Sequence, residues 1–335
     1  MEQDEIYMQR AIQLAKCGES GVAPNPMVGA VIVKDGRILG EGYHRKYGGP
    51  HAEVNAVASV PEGQSLEGSV MYVTLEPCSH WGKTPPCCDM IIKHGIRRVV
   101  IGMQDPNAKV NGEGIRRMRE AGLEVTVGIL EEECRSINPC FLTYHEKGRP
   151  RITLKWAQTP DGVMGYSCES DRRLRVSTPF TQMLVHRLRS RCQAIMVGTN
   201  TAIYDNPLLD TRYWRGKSPL KVTIDRKGRL DSDIRMLSEG EETVVYHNEI
   251  LSEMLYDLRK RGVQHLLVEG GSKLLQSFID SNLWDEARVE IGRCKDGNLL
   301  SVTPQAKVLA PIIPHAELAE EHTADGNKLL ILLNT

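Results

Sequence analysis

H-A-E at residues 51–53 and E-P-C-S-H-W-G-K-T-P-P-C at 76–87 are the stretches on which the first half of the chain turns. They supply one imidazole, His51, and two thiols, Cys78 and Cys87. That is the ligand count of a catalytic zinc, which keeps three protein ligands and one open position. Glu53, two residues beyond His51, is a carboxylate that need not bind the metal. It can carry protons between water and a substrate, which makes it the candidate catalytic residue.

This donor set suits one reaction in particular. Hydrolytic deamination of an aminopyrimidine needs a strong nucleophile near neutral pH, and zinc provides one by lowering the pKa of water toward ~7. H-x-E followed by P-C-x-x-C is the signature of zinc nucleobase deaminases. Here eight residues, not two, separate Cys78 from Cys87. The ligand set survives if residues 79–86 loop out and return Cys87 to a helix N-terminus, where backbone N–H groups and the helix dipole favour a thiolate. Cys88 competes with Cys87 for the metal; Cys87 is preferred because it directly follows Pro85-Pro86. A closed structural site would need a fourth ligand, His80 or Cys88, and would not need Glu53 beside its histidine.

Working outward, residues 5–17 carry apolar side chains at helical spacing up to Gly18. GAVIVKDGRILGEGYH reads as a hairpin around Asp35-Gly36. HAEVNAVASV, PCCDMIIKHG and GIRRMREAG read as helices, and SVMYVTLEP, RRVVIGM and LEVTVGI as strands. Such alternation predicts a layered α/β domain. A helical stretch over 131–146 then meets the polar EKGRPR, which places a domain boundary near 148 and gives domains 1–147 and 148–335. In the second domain RITLKWA, QAIMVGT, LKVTIDR, ETVVYH, QHLLVEGG and KLLILLN read as strands. STPFTQMLVHRLRS, NEILSEMLYDLRKRG and SKLLQSFIDSN read as helices between them.

A formal net charge of -1 offers no overall attraction to nucleic acid or anionic membrane. The N-terminal MEQDEIYMQR lacks the basic flank and apolar core of a signal peptide, and no apolar run is long enough to span a bilayer. The expectation is a cytoplasmic protein whose partner is a small molecule, with neither nucleic acid nor membrane involved. Nine cysteines leave one unpaired in any disulfide scheme, and clustered cysteines in a reducing compartment point to metal. Cys17, Cys134, Cys140, Cys168, Cys192 and Cys294 are scattered and read as small hydrophobes. Edge strands in both domains point to a homo-oligomer.

In the second domain the residues alone say only that an α/β fold binds a nucleotide. The clue is LLVEGGSKLLQSF, a buried strand, Gly270-Gly271 and a helix. The glycines let backbone approach a ligand, and the helix N-terminus offers N–H groups to phosphate.

Four stretches of the first half, PNPMVGAVIV (24–33), GYHRKYGGPHAE (42–53), TLEPCSHWGKTPPC (74–87) and DPNAKVNGEG (105–114), resemble the deaminase domain of the bifunctional riboflavin-biosynthesis deaminase/reductase family, long cysteine loop included. GRPRITLKWAQTPDG (148–162), HRLRSRCQAIMVGTNTAIYDNPLLDTR (186–212) and VEGGSKLLQSFID (268–280) resemble its reductase domain. The resemblance implies a cytidine-deaminase-like three-layer domain followed by a dihydrofolate-reductase-like α/β domain. It implies zinc and NADPH as cofactors and 2,5-diamino-6-(5-phosphoribosylamino)pyrimidin-4-one, a pyrimidine ribose phosphate, as substrate. Deamination would be followed by reduction, in which the ribosyl ring opens and hydride reaches C1′ to give the ribityl chain.

By the same resemblance Asn25, His44, Lys83, Asp105 and Asn107 contact the deaminase substrate, with Lys83 or His44 suited to its phosphate. His80 could orient the loop or touch substrate. Ala157, Thr201, Asp205 and Gly271 lie on NADPH. Arg189, Leu209, Arg212 and Glu269 lie on the reductase substrate, the two arginines suiting a bidentate grip on phosphate. The chain departs from the family at Arg175, where a Trp is usual, so an alternative is an active deaminase whose C-terminal domain is degenerate and only binds or oligomerises. An RNA-editing deaminase would show a short P-C-x-x-C and a basic face, and the chain has neither.

Overall fold

The computed structural model describes residues 2–19, 21–81, 85–108, 110–166, 174–238, 242–293 and 307–335. The chain divides into two compact units, Met1–Gly148 and Arg149–Thr335.

The first unit is built on a five-stranded sheet of β1 (Gly29–Lys34), β2 (Arg37–Tyr43), β3 (Val70–Leu75), β4 (Arg98–Met103) and β5 (Glu124–Val127), in the order β2-β1-β3-β4-β5. β1 runs antiparallel to both neighbours; β3, β4 and β5 are parallel. Asp35 and Gly36 both have positive φ, the two-residue geometry that suits a twisted hairpin. Alternate residues of β1 serve opposite cores. Val31 and Val33 meet α1 (Gln3–Lys16), α5 (Glu131–Ser136) and α6 (Pro139–Glu146). Ala30 and Ile32 meet α2 (Ala52–Ala58), α3 (Cys87–Lys93) and α4 (Glu113–Glu120). The result is three layers, helix–sheet–helix. The expected helix over 131–146 is two helices, because the Asn138 side chain accepts from Met27 N at 2.7 Å and donates to Met27 O at 2.8 Å, and Pro139 begins a new helix.

Gly42 on β2 fixes how α2 sits. A Cβ there would lie 2.2 Å from Ala56 N and 2.5 Å from Ala52 O, so only glycine admits the helix backbone this close. That contact seats the start of α2, with His51 and Glu53, against the sheet.

The second unit has an eight-stranded sheet in the order β10-β9-β8-β11-β6-β12-β15-β14. Its strands are β6 (Arg151–Gln158), β8 (Ala194–Val197), β9 (Leu220–Ile224), β10 (Thr243–Tyr246), β11 (His265–Val268), β12 (Glu286–Ile291), β14 (Glu317–Ala324) and β15 (Asn327–Leu333). The first six in that order are parallel, and β15 and β14 close one side antiparallel. β7 (Val163–Tyr166) and β13 (Lys307–Leu309) form a separate antiparallel pair. One face packs on α10 (Leu251–Lys260) and α11 (Ser272–Asp280), the other on α7 (Pro179–Arg191) with Ile195, Val197 and Leu267 of the sheet.

From β8 the chain passes through α8 (Thr199–Tyr204) to β9; from β11 it passes through α11 to β12, on the opposite side. Connections therefore leave these adjacent strands in opposite directions. A crevice at the carboxyl ends of such a pair is where doubly wound sheets take their ligands.

Among the scattered cysteines, Cys134 and Cys192 are buried, Cys140 is half-buried, and Cys17 is exposed at the end of α1, against the expectation of a small core hydrophobe. Cys168 and Cys294 lie outside the described residues.

Candidate functional site

Three element ends converge in the first unit. His51 is the residue before α2, Cys78 follows β3, and Cys87 opens α3. His51 Nδ1 stands 3.6 Å from Cys78 Sγ and 3.4 Å from Cys87 Sγ, and all three donor atoms lie within 4.8 Å of one another. A nitrogen at about 2.0 Å and a sulfur at about 2.3 Å from one tetrahedral zinc are about 3.5 Å apart. The donors thus fit zinc in kind and in spacing.

Electrostatics favour a cation there as well. The hydrogen bond to Cys78 is the main reason the His51 ring is raised to about 9, against the effect of burial. Hydrogen bonds from Cys87 and His51 draw the Cys78 thiol well below its ordinary range, while Cys87 is pushed up by the same pairing and by burial. The backbone N–H of Cys87 donates to Cys78 Sγ at 3.3 Å. Cys88 faces away into the core with Ile91 and Met118, and burial lifts its thiol to about 12. His80 is exposed. Among the described residues only His51, Cys78 and Cys87 form such a group, which leaves the fourth position without a protein donor.

Glu53 is buried in the first turn of α2. Burial above all pushes its carboxyl up, opposed by the His51 ring. A carboxyl so placed holds a proton more readily than one in water, which suits a group that takes and returns one.

His44 is buried and its two nitrogens are both engaged. Nδ1 lies 2.9 Å from Pro50 O, and Nε2 lies 3.1 Å from Asn25 Nδ2. A carbonyl only accepts, so Nδ1 carries the proton; burial lowers the ring's pKa and keeps it neutral, so Nε2 accepts from the Asn25 amide. His44 therefore orients Asn25 and leaves Asn25 Oδ1 to accept from an amino group. A neutral, doubly engaged ring is a poor cation for phosphate, and Lys83, the other residue offered for that task, lies outside the described residues.

Asp105 and Asn107 follow β4. Asp105 is buried and raised to about 6, first by burial and then by the nearby Glu76 carboxylate, while its Oδ1 accepts from Asn107 N at 2.8 Å. Glu76 went unnoticed in the sequence. It is buried and accepts four backbone N–H groups, from Asp105, Gly112, Gly114 and Ile115.

In the second unit two of the residues expected on a cofactor, Thr201 and Gly271, come together beyond the carboxyl ends of β8 and β11. Thr201 lies on α8, Asp205 ends it, and Gly271 precedes α11. Gly198 N donates to Gly270 O at 2.8 Å, and a Cβ on Gly271 would stand 3.3 Å from Thr201 Oγ1. The absent Cβ leaves a cradle of backbone, as a pyrophosphate-bearing nucleotide requires. The Gly270-Gly271 peptide is cis, with Gly270 at φ +114°. Ala157 lies on β6, paired with Glu290 of β12.

The expected substrate residues are differently disposed. Arg189 Nε and Nη2 grip the Glu269 carboxylate at 2.9 and 2.6 Å, and Nη1 donates to Asp210 O at 3.2 Å. Its fork is thus committed to a buried carboxylate that needs a counter-charge, where the sequence had offered it to phosphate. Leu209 is buried in the core with Leu188 and Ile195, so backbone is what it presents. Arg212 pairs with Asp210 and remains partly exposed. His186 was also missed: it is buried 3.9 Å from Asp210 Oδ1, edge-on to Tyr213. A lone histidine on an amphipathic helix gave no signal in the sequence.

Two family models match the chain: the cytidine and deoxycytidylate deaminase zinc-binding region over residues 1–103, and the RibD C-terminal domain over 150–299. The riboflavin biosynthesis protein RibD of Aquifex aeolicus is 39% identical over 324 residues, covering 90% of each chain. That of Escherichia coli is 35% identical, covering 86% of this chain and 87% of its own. The crystal structure of the Thermotoga maritima diaminohydroxyphosphoribosylaminopyrimidine deaminase/5-amino-6-(5-phosphoribosylamino)uracil reductase is similar with a TM-score of 0.80 at 36% identity over 99% of both chains. A structure of Acinetobacter baumannii RibD gives 0.86 at 30% identity, also over 99% of both.

Proposed function

The chain belongs to the RibD family, and from that premise we propose which of its residues carry the two reactions of this bifunctional enzyme of riboflavin biosynthesis. It is a zinc-dependent deaminase and an NADPH-dependent reductase. The degenerate C-terminal alternative is not favoured, since the RibD C-terminal domain model matches residues 150–299.

His51, Cys78 and Cys87 would hold the zinc, which when bound would supply the Lewis acidity that makes water a nucleophile near neutral pH. The buried Glu53 carboxylate would carry one proton of the attacking water to the ring nitrogen, where it stays, and then the second from the new hydroxyl to the departing amine. Water and the C–NH2 group thereby become a carbonyl and ammonia. Asn25, held by the neutral His44, and Asp105 with Asn107 read the edges of the diaminopyrimidine. The three convergent donors carry this reading.

In the reductase Gly271, Thr201, Asp205 and Ala157 line the NADPH crevice, and the cofactor when bound supplies the hydride. Arg212 is the cation available to an anionic substrate, while Arg189 and Glu269 form a fixed wall beside it. Arg175 is exposed and is left without a part in the reaction. The remaining expectations belong to the same proposal: a homo-oligomer in the cytoplasm, acting on a small molecule and not on nucleic acid or membrane. Among the described residues no helix is long and apolar enough to cross a membrane, and β14 forms an outer edge of the second sheet.

The test is to incubate the whole protein with the diaminopyrimidine ribosyl phosphate, measuring ammonia release, NADPH oxidation and bound zinc. Cys87→Ser should lose the metal and ammonia release, whereas Cys88→Ser should keep both. Zinc retained by Cys87→Ser, or no turnover by the zinc-replete parent, would sink the assignment.

A further inference from the structure

One carboxylate in the first unit does more structural bonding than its motif suggests. Glu76 Oε2 accepts from Asp105 N at 3.2 Å and Gly112 N at 2.9 Å; Oε1 accepts from Gly114 N at 3.0 Å and Ile115 N at 3.2 Å. Asp105 stands near the start of the segment between β4 and α4, Gly112 at its end, and Gly114 and Ile115 in the first turn of α4. Among the described residues, the hydrogen-bond partners of this side chain are all backbone N–H groups, and Glu76 is only 3% exposed. A buried carboxylate is stable with such partners because each N–H is aimed at the charge.

The same carboxylate is two residues from Cys78. Beyond that cysteine, Ser79 O accepts from Arg117 Nη1 of α4 at 2.7 Å. Thus α4 and the loop before it are tied to the metal-bearing segment on both sides of Cys78.

We propose that Glu76 is a positioning residue of the deaminase: its carboxylate clamps both ends of the 105–115 loop and so sets Asp105 and Asn107 at a fixed distance from the zinc ligands. The proposal rests on the reading that this loop touches substrate. Glu76 itself touches neither substrate nor metal. Its loss leaves His51, Cys78, Cys87 and Glu53 in place, so the cost falls on substrate binding and not on the chemical step.

Glu76→Gln turns an amide donor toward two of the N–H donors and loses their bonds. Gly114→Ala attacks the same clamp from the other side with Glu76 intact. An added Cβ would meet Pro77 O at 2.2 Å and Glu76 Oε1 at 3.2 Å, so the start of α4 must lift away. Alanine favours a helix, so any loss reports the contact and not the helix.

Each variant of the full chain is assayed for zinc, for ammonia release, and for NADPH oxidation with the already deaminated substrate. The last serves as an internal measure of integrity. Both variants should keep zinc and reductase activity, raise the deaminase KM roughly 10- to 100-fold, and hold kcat within about threefold. An unchanged KM in the two variants overturns the proposal. Loss of zinc from either also overturns it, since Glu76 would then hold the metal segment and not the loop. Asp105→Asn separates the premise. If it leaves KM unchanged, the loop does not read substrate and both ideas fall. If it raises KM while Glu76→Gln and Gly114→Ala do not, only the clamp falls.

Discussion

The two candidate sites are assembled in opposite ways. The deaminase donors lie between residues 51 and 87, each at the end of a helix or strand, and side chains do the work. The proposed reductase site draws on residues from 157 to 271, with backbone at Gly198, Gly270 and Gly271 brought close together. A metal demands particular atoms within a few ångströms, so its residue types are constrained and visible. A nucleotide crevice demands room and N–H groups, which many sequences supply. The first kind of site depends on chemistry at single positions, the second on the order of strands.

The contrast can be broken most sharply at Glu53. Glu53→Gln removes the proton carrier alone and should cut deaminase kcat by ~10²–10⁴, with zinc and NADPH oxidation of the deaminated substrate unchanged. A loss of less than about tenfold would move the proton transfer elsewhere.

A second effect is on stability and belongs to the other unit. Arg189 and Glu269 are 12% and 11% exposed, so Glu269→Gln strands a buried guanidinium. Removing one partner of a buried pair costs about 3–5 kcal/mol, and calorimetry should show the reductase transition falling while ammonia release at low temperature persists. Replacing both residues with leucine should recover much of that loss, though not the substrate binding.

The smallest expected effect sharpens the role of Asp105. Its raised value, about 6, comes from burial and the Glu76 charge. In its proposed role of accepting hydrogen bonds from the pyrimidine, the Asp105 carboxylate is present above that pH and lost below it. The deaminase KM should therefore climb by up to about tenfold from pH 6 to 5 relative to Asp105→Asn, whose own profile carries every titration of enzyme and substrate except that of Asp105. Parallel profiles for the two proteins would remove Asp105 from the site.

The sequence announced most of the fold where apolar periodicity was strong, in α1, the β1–β2 hairpin, β6, β8 and β11. It hid β12 although Ala287, Val289 and Ile291 alternate with Glu286, Arg288 and Glu290, because the charged face is itself half-buried to buried, which nothing nearby in the sequence announces. The reasons lie far away in the chain: Arg151 pairs with Glu286, and Ser177 and Asn327 bond Glu290. It hid β14 because seven of its eight residues are exposed, leaving no alternation to read. The site followed the same rule. His51, Glu53, Cys78 and Cys87 stood out by type and spacing, and Cys87 over Cys88 came from the Pro-Pro before it. Glu76 did not stand out, because its partners are backbone N–H groups with no signature. The pairing of Arg189 with Glu269 was equally invisible, being set by a helix and a strand distant in sequence.

The strand order of the second unit carries a consequence for biosynthesis. Both neighbours of β6 in the sheet, β11 and β12, emerge from the ribosome only after residue 264. At ~5–20 residues per second, the apolar RITLKWA segment waits many seconds without a strand to pair with, while the deaminase unit before it is already complete. Nascent chains stalled before β11 should release ammonia yet stick to one another, and the burden on holding chaperones should peak in that interval.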